Sequence, residues 1–228
     1  MSTAGSEVEV RPPRGVRSVS PAITAIEILA VYAGILLYIW RWQDTYPYLV
    51  IPLFAAVVFS HRFYGDTPEQ MGLTRREFRP CARISLLLFA VVILLAVAYA
   101  LWNHDSASKL ASLHVWLSFF GYMIWCSFQM YLTQSYFHRR LMRIMRTPHL
   151  SSFAVALMFA GAHIPNPVLM VATFVGGFVL AEVFIRHPNI WPLAFVQATA
   201  GFLIGGLSPA WLIHSMRVGP GYFFYHVP

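Results

Sequence analysis

Charged residues and cysteines are both scarce in this chain of 228 residues. Charged side chains make up 11% of the sequence and hydrophobic ones 58%, and the mean hydropathy is +0.60. The chain has too few charged side chains to cover the surface of a water-soluble domain. The composition therefore excludes a soluble globular protein. The long apolar runs that dominate the chain predict a polytopic membrane protein.

Only two cysteines occur, Cys81 and Cys126. They exclude a disulfide framework and a thiolate zinc site, and both are predicted to be small buried side chains. The chain also lacks a His-Glu-x-x-His motif and a glycine-rich phosphate loop, and its nine histidines are scattered. We therefore predict neither a metal nor a cofactor. The pair Gly176 and Gly177 predicts close helix packing instead.

The apolar runs predict an all-α fold, a transmembrane helical bundle of about seven spans. The run that ends just before His163 is short, reaching only about 20 Å from Ser151 at 1.5 Å per residue. We expect it to end partway through the bilayer. The seven runs are Ala22–Trp40, Tyr46–Ser60, Ala82–Leu101, Leu113–Tyr136, Phe153–Ala162, Val168–Ile185 and Trp191–Leu207.

The arginines predict the orientation, because cytoplasmic loops collect basic residues. With a cytoplasmic N-terminus, the opposite side keeps only Arg41, Lys109 and Arg217 of the 16 basic residues. Topology and anionic lipid headgroups therefore account for the net charge of +7 without a nucleic-acid partner. The cytoplasmic set is Arg11, Arg14, Arg17, Arg62, Arg75, Arg76, Arg79, Arg83, Arg139, Arg140, Arg143, Arg146 and Arg186.

Outside the spans, the sequence predicts little folded structure. Residues 1–20, rich in proline, glycine and serine, are expected to form a flexible cytoplasmic tail, leaving 21–228 as the transmembrane domain. The loop His61–Pro80 predicts a turn followed by a short surface helix. The C-terminal segment Leu207–Pro228 is interrupted by prolines and glycines, so it does not clearly predict an eighth span, and the sequence leaves that question open for Leu207 to His214. We expect an aromatic belt or a re-entrant cap on the non-cytoplasmic side.

Three ionisable side chains stand within or at the edge of apolar runs. An imidazole in hydrocarbon costs a few kcal/mol or more, so His163 is expected to face a cavity or a polar partner. Glu182 lies four residues before Arg186, a spacing that favours a local ion pair. Glu27 is expected to play a similar structural role near the cytoplasmic end of the first span.

Three short motifs carry a resemblance to a known family. Phe159 and His163 form a Phe-x-x-x-His motif, and His163 continues into Ile164, Pro165, Asn166 and Pro167. From about Glu69 to Gly206 the chain resembles the CAAX protease and bacteriocin-processing family, also called the Abi family. Members of that family carry Glu-Glu-x-x-x-Arg, Phe-x-x-x-His and His-x-x-x-Asn motifs on different transmembrane helices.

This chain departs from the family at two of the three motifs. Thr133 and Gln134 stand where the two glutamates would be, and His138 stands where the arginine would be. The third motif falls on Gln197 to Gly201, where neither signature residue is present. The resemblance implies a bacterial inner or plasma membrane protein that cleaves or binds a membrane-embedded or lipidated peptide. The site residues it implies are Thr133, Gln134, His138, Phe159, His163 and Gln197.

The replaced glutamates bear directly on catalysis. A general base must take up a proton, and a glutamine amide does not. Loss of such a base removes about 10²- to 10⁴-fold in rate. Two hypotheses for altered water activation stay open: an imidazole base, His163 or His138, or the carboxylate of Glu182. The third hypothesis is a pseudoprotease that binds a membrane segment.

A non-catalytic membrane scaffold is the alternative from another class. Here Gln129, Gln134 and Gln197 only join helices, for about 0.6 kcal/mol per hydrogen bond. His163 would bond a carbonyl freed by the prolines that follow it, and His138 would mark the interface beside the arginines. The peptidase hypothesis requires that these side chains converge on one pocket.

Overall fold

The computed structural model describes residues 19–102 and 113–224, and the regular structure in both parts is helical. The all-α prediction is therefore confirmed for this part of the chain. Nearly all of the predicted flexible tail, residues 1–18, lies outside the described residues. The helices are α1 Pro21–Leu37, α2 Val50–Tyr64, α3 Phe78–Trp102, α4 Leu113–Met130, α5 Arg139–Ile144, α6 Pro148–Gly161, α7 Pro167–Arg186, α8 Ile190–Leu207, α9 Ala210–Ile213 and α10 Pro220–Phe223.

Helix starts are encoded locally by capping side chains followed by proline. Ser20, Thr147 and Asn166 each accept a hydrogen bond from a backbone N–H of the first turn, and a proline opens the helix that follows each of them. Asn189 caps α8 in the same way without a leading proline. These caps accept hydrogen bonds from N–H groups of the first turn that have no partner within the helix. Proline suits the first helical position because it has no backbone N–H that would need a partner there.

Five of these helical stretches are long and apolar enough to cross a membrane. They are Pro21–Trp42, Pro47–Tyr64, Phe78–Trp102, Pro167–Arg186 and Ile190–Leu207. The predicted short run is present as α6, whose 14 residues reach only about 21 Å. In α3 the described buried side chains are Cys81 and Ser85, at one end, so leucines and valines cover its exposed length. Such a face suits lipid.

The most extensive helix contacts join α6 to α7 and join α8 to α3 and α4. Gly177 permits the first of these, because a Cβ there would meet Phe159 at 3.2 Å and the backbone of Ala156 at 3.5 Å. Gly176, its neighbour, faces open space. The prediction of close packing is therefore confirmed for Gly177 and wrong for Gly176. Both cysteines are buried and free, as predicted.

The connection between α2 and α3 contains turns where a short surface helix was predicted. Gly65 and Gly72 adopt left-handed backbone conformations, with φ of +67° and +73°. Gly72 also lies against Phe184, and its carbonyl accepts a hydrogen bond from the backbone N–H of Ile190. Because left-handed residues interrupt a helix and long-range contacts hold this segment, the surface-helix prediction is wrong.

A buried ion cluster closes the end of the bundle where α2, α5 and the start of α1 meet, here called the arginine end. At its centre the guanidinium of Arg140 is fully buried. Its Nη1 donates to Asp66 at 2.7 Å, its Nη2 donates to Ser60 at 2.9 Å, and its Nε lies 3.7 Å from Glu27. The Tyr64 ring stacks over it at 3.8 Å. Charge, hydrogen bonds and the aromatic face together compensate the desolvation of this cation.

Replacing Arg140 by methionine should therefore destabilise the protein by about 3 kcal/mol or more, because buried carboxylates lose their cation. Thermal unfolding in detergent measures the effect. Arg146→Met provides the matched control, since Arg146 is exposed two residues beyond α5. Equal melting temperatures of the two variants would contradict the assigned role of Arg140.

Candidate functional site

A cavity of about 930 Å³ lies between the helices, and its walls are mostly apolar. It extends from Val57 and Phe137 to Asp44 and Arg217 at the opposite mouth. Four of the six predicted site residues line it: Thr133, Phe159, His163 and Gln197. Its size suits a lipid chain or a short peptide segment.

His163 lies just beyond the end of α6 and caps that helix with its own ring. Its backbone N–H bonds to the carbonyl of Ala160, which leaves the Phe159 carbonyl open at the helix end. The ring nitrogen Nδ1 donates to that carbonyl at 2.7 Å. The Phe159 ring meets the imidazole edge-on at 5.0 Å. The Phe-x-x-x-His spacing thus places both groups in contact, and it fixes the proton on Nδ1 of the neutral ring.

The consequence for chemistry is that Nε2 of neutral His163 carries a lone pair. In a cavity wall this nitrogen can accept a hydrogen bond from a ligand N–H, a hydroxyl or a water molecule. The expected bond to a carbonyl freed by prolines is instead a bond to the carbonyl of Phe159, four residues earlier. The ring is therefore both structurally anchored and part of the cavity wall.

Three polar side chains from α4, its continuation and α8 share this wall. Gln197 donates from Nε2 to Oε1 of Gln129 at 2.6 Å, a bond that joins α8 to α4. The Thr133 hydroxyl donates to the backbone carbonyl of Gln129 at 2.8 Å. Gln129 and Gln197 therefore join two helices, as the scaffold alternative requires. The Oε1 atom of Gln197 has no hydrogen-bond partner among the described residues.

Gln134 and His138 lie outside the cavity wall. Both are fully buried, and Nδ1 of His138 lies 3.0 Å from Oε1 of Gln134. The Ser152 hydroxyl of α6 lies 3.3 Å from Nε2 of His138. This i, i+4 pair therefore forms a polar contact between α6 and the continuation of α4. The structure divides the six predicted residues into four at the cavity and two behind it.

The chain holds these residues on an unusual stretch of helix. α4 continues directly into a π-helix over Tyr131–His138, which contains the whole segment aligned with the glutamate motif. π-helical turns are rare and concentrate at functional sites. The sequence pattern of this segment does not distinguish a π-helix from an α-helix.

The two acidic residues of the apolar runs, Glu27 and Glu182, do not line the cavity. Glu27 accepts hydrogen bonds from Ser60 and Tyr136 at the arginine end, as its structural interpretation expected. Glu182 pairs with His149 of α6 at 2.9 Å, so Arg186 is not the partner it uses. Among the described residues that line the cavity, Asp44 is the one carboxylate, and it is exposed at the mouth.

The C-terminal segment 208–224 closes the side of the cavity near Arg217. Three consecutive residues, His214 to Met216, adopt left-handed conformations, and Met216 and Arg217 line the cavity. Asn166 holds this cap: its amide donates to the carbonyls of Ile213 at 2.8 Å and Arg217 at 3.2 Å. Its Oδ1 also caps α7. The expected cap is thus present over the described part of the segment, and sequence reasoning missed the residue that secures it.

Residues 112–203 match the family model described as "Rce1-like: Type II CAAX prenyl endopeptidase Rce1-like". This segment includes all three positions of the family motifs, so the predicted resemblance is confirmed for this part of the chain. No curated protein and no solved structure matches the chain. The match and the long apolar helices together indicate an integral membrane protein with a CAAX-peptidase-like region.

Asn166→Ala should loosen the cap, because it removes the donor from the buried carbonyl of Ile213 and the partly buried carbonyl of Arg217. We expect faster hydrogen exchange of the backbone amides across 208–224, equivalent to about 1–3 kcal/mol of lost local stability. The control is Asn189→Ala, since Asn189 is also a buried helix cap that donates to a carbonyl, that of Thr74. Unchanged exchange in 208–224 after Asn166→Ala would refute the anchoring role.

Proposed function

We propose that this protein binds an apolar or lipidated peptide tail in its cavity and has lost the glutamate-driven hydrolysis of CAAX peptidases. The observation that carries the proposal is the composition of the cavity wall. Apolar side chains surround Thr133, His163, Gln129 and Gln197, and the only lining carboxylate among the described residues, Asp44, lies at the mouth.

The polar side chains suit recognition of a peptide bond. A backbone amide presents one donor and one acceptor. Nε2 of neutral His163 can accept from the amide N–H, and the amide group of Gln129 carries N–H donors for the carbonyl. An apolar chain attached to the peptide would fill the remaining volume. A cavity with mostly apolar walls and a few oriented polar groups is the usual composition of a ligand site.

Apart from Nε2 of His163, which can accept a proton, these side chains are poor at activating water. The Thr133 hydroxyl is a weak base and already donates to the carbonyl of Gln129. Gln134, at the second glutamate position, lies behind the wall and carries an amide. The cavity therefore retains binding groups without a carboxylate base beside them, which favours a pseudoprotease over a protease. The hydrogen bond between Gln129 and Gln197 also fits a pure scaffold, and a binding measurement separates the two.

Filling the cavity should weaken ligand binding. A Cβ at Gly176 meets nothing within 4 Å, and this glycine lines the cavity, so Gly176→Leu extends a side chain from an open backbone position into the cavity. A ligand excluded from a leucine-sized volume loses about 1.5–3 kcal/mol, or roughly ten- to 100-fold in affinity. Crosslinking of a photoreactive prenylated peptide to the purified protein measures this.

Gly121→Leu is the matched control, because Gly121 also faces open space and lies away from the cavity. It should bind the peptide like the parent protein. A scaffold with no ligand would give weak crosslinking in all three proteins, and that result would overturn the proposal.

Restoring a carboxylate tests the lost catalysis. Thr133→Glu places a carboxylate in the cavity wall, whereas Gln134→Glu places it behind the wall at the fully buried contact with His138. We expect no cleavage of the prenylated peptide by the parent or by Gln134→Glu, and measurable cleavage by Thr133→Glu. A recovered base is worth about 10²- to 10⁴-fold in rate. Product formation is followed by mass spectrometry, and cleavage by the parent would disprove the loss of activity.

A further inference from the structure

A small pocket of about 290 Å³ lies at the arginine end, and its wall differs from that of the large cavity. Two of its polar side chains bond each other, since Nδ1 of His61 lies 2.8 Å from Oδ2 of Asp66. The large cavity is instead open along one of its sides, between α3 and α7. That opening bears on how a ligand reaches the cavity.

The start of α3 and the end of α7 are packed together. Cys81 and Ile84 of α3 belong to the same hydrophobic cluster as Val183 and Phe184 of α7. Cys81 and Phe184 are almost completely buried. The gap between the two helices is therefore filled at this level.

Further along, the two helices leave a gap. Val91 of α3 is 52% exposed, and Val175 and Val179 of α7 are 55% and 36% exposed, yet all three line the large cavity. A side chain that belongs both to the cavity wall and to the outer surface marks an opening between them. Gly176 also lines the cavity, and a Cβ there would meet nothing within 4 Å. We call these four positions the lateral slit.

The slit lies at the depth of the lipid chains. Val91 follows the start of α3 by 13 residues, which is about 20 Å along a helix, and α3 has 25 residues in all. Val175 precedes the end of α7 by 11 residues, or about 16 Å. The hydrocarbon core of a bilayer is about 30 Å thick. A helix that crosses it therefore places these positions among acyl chains and away from water.

The gap between α2 and α4 is bridged where the α3–α7 gap is open. The ring of Phe54 on α2 contacts the rings of Phe128 at 5.6 Å and Tyr131 at 5.8 Å. The C-terminal cap lies across the cavity near Arg217. The lateral slit therefore gives the cavity a direct passage to the lipid.

The edges of the slit determine what passes through it. Three valines and a glycine offer no side-chain hydrogen bond, so a peptide backbone in the slit would leave its amide groups without partners. A hydrocarbon chain has no such groups, and it moves from lipid into an equally apolar passage. We propose that the lateral slit admits the apolar chain of the ligand directly from the surrounding bilayer. This inference rests on the proposed function, and it specifies the ligand as a peptide already anchored in the membrane by its chain.

Narrowing the slit should slow both binding and release. In Val91→Phe/Val175→Phe, a larger side chain stands at each edge, so we expect association and dissociation of the prenylated peptide to become about tenfold slower, with an unchanged Kd. The full-length protein in nanodiscs is used. Flash crosslinking at increasing times after mixing with the photoreactive peptide gives the association rate. Chasing with unlabelled peptide before the flash gives the dissociation rate.

Val97→Phe/Val171→Phe is the matched control. These valines lie on the same two helices and are 50% and 66% exposed, but they do not line the cavity. Both rates should equal those of the parent. Val91→Ala/Val175→Ala widens the slit and should raise both rates, which gives a change of opposite sign in a variant with smaller side chains.

Three results would overturn the slit as an entrance. The first is parental rates in both the narrowed and the widened variant, and the second is equal slowing in the control. The third is a weaker Kd caused by faster dissociation alone, because that pattern belongs to a side chain that fills the ligand's space. No crosslinking of the parent would refute the proposed function itself, whereas parental binding with unaltered rates refutes only the slit.

Discussion

Arg140 ties together parts of the chain that are far apart in sequence. Its guanidinium is fully buried, yet it reaches Ser60 on α2 and Asp66 in the connection to α3, and lies near Glu27 on α1. In an apolar bundle these buried charges stabilise the fold only when all of them are paired. The arginine end therefore holds α1 and α2 against α5. α5 directly follows the π-helix, and several residues of the π-helix line the cavity.

The cavity wall contains one intact family motif and one altered position of another. Phe159 and His163 keep the family spacing because the ring caps its own helix and contacts the aromatic side chain. The two glutamate positions differ in their surroundings: Thr133 lines the cavity, whereas Gln134 lies outside its wall and contacts His138, which in turn contacts Ser152 of α6. Replacement of the two positions thus has different consequences. The first leaves this part of the cavity wall without a carboxylate, and the second changes a buried polar contact.

Local patterns predicted much of this arrangement correctly. Apolar runs of about 20 residues predicted the long helices, and the short run before His163 predicted the short helix α6. Contacts between distant segments of the chain are harder to predict from the sequence. The partner of Glu182 is His149, 33 residues away, although Arg186 stands at a favourable spacing on the same helix. Asn166 and His61 were overlooked because their partners, the cap carbonyls and Asp66 within its arginine cluster, come together only in the folded chain.

Composition and periodicity alone determined that this chain forms a helical membrane bundle, because apolar runs of that length have no other stable arrangement in lipid. The sequence also determined that the usual catalytic glutamates are absent. Only the tertiary structure decided which polar residues share a cavity, since the direction of each side chain depends on the π-helix and on how the helices pack. It alone also separated the large cavity from the small pocket at the arginine end, because the walls of both are formed by residues from separate parts of the chain.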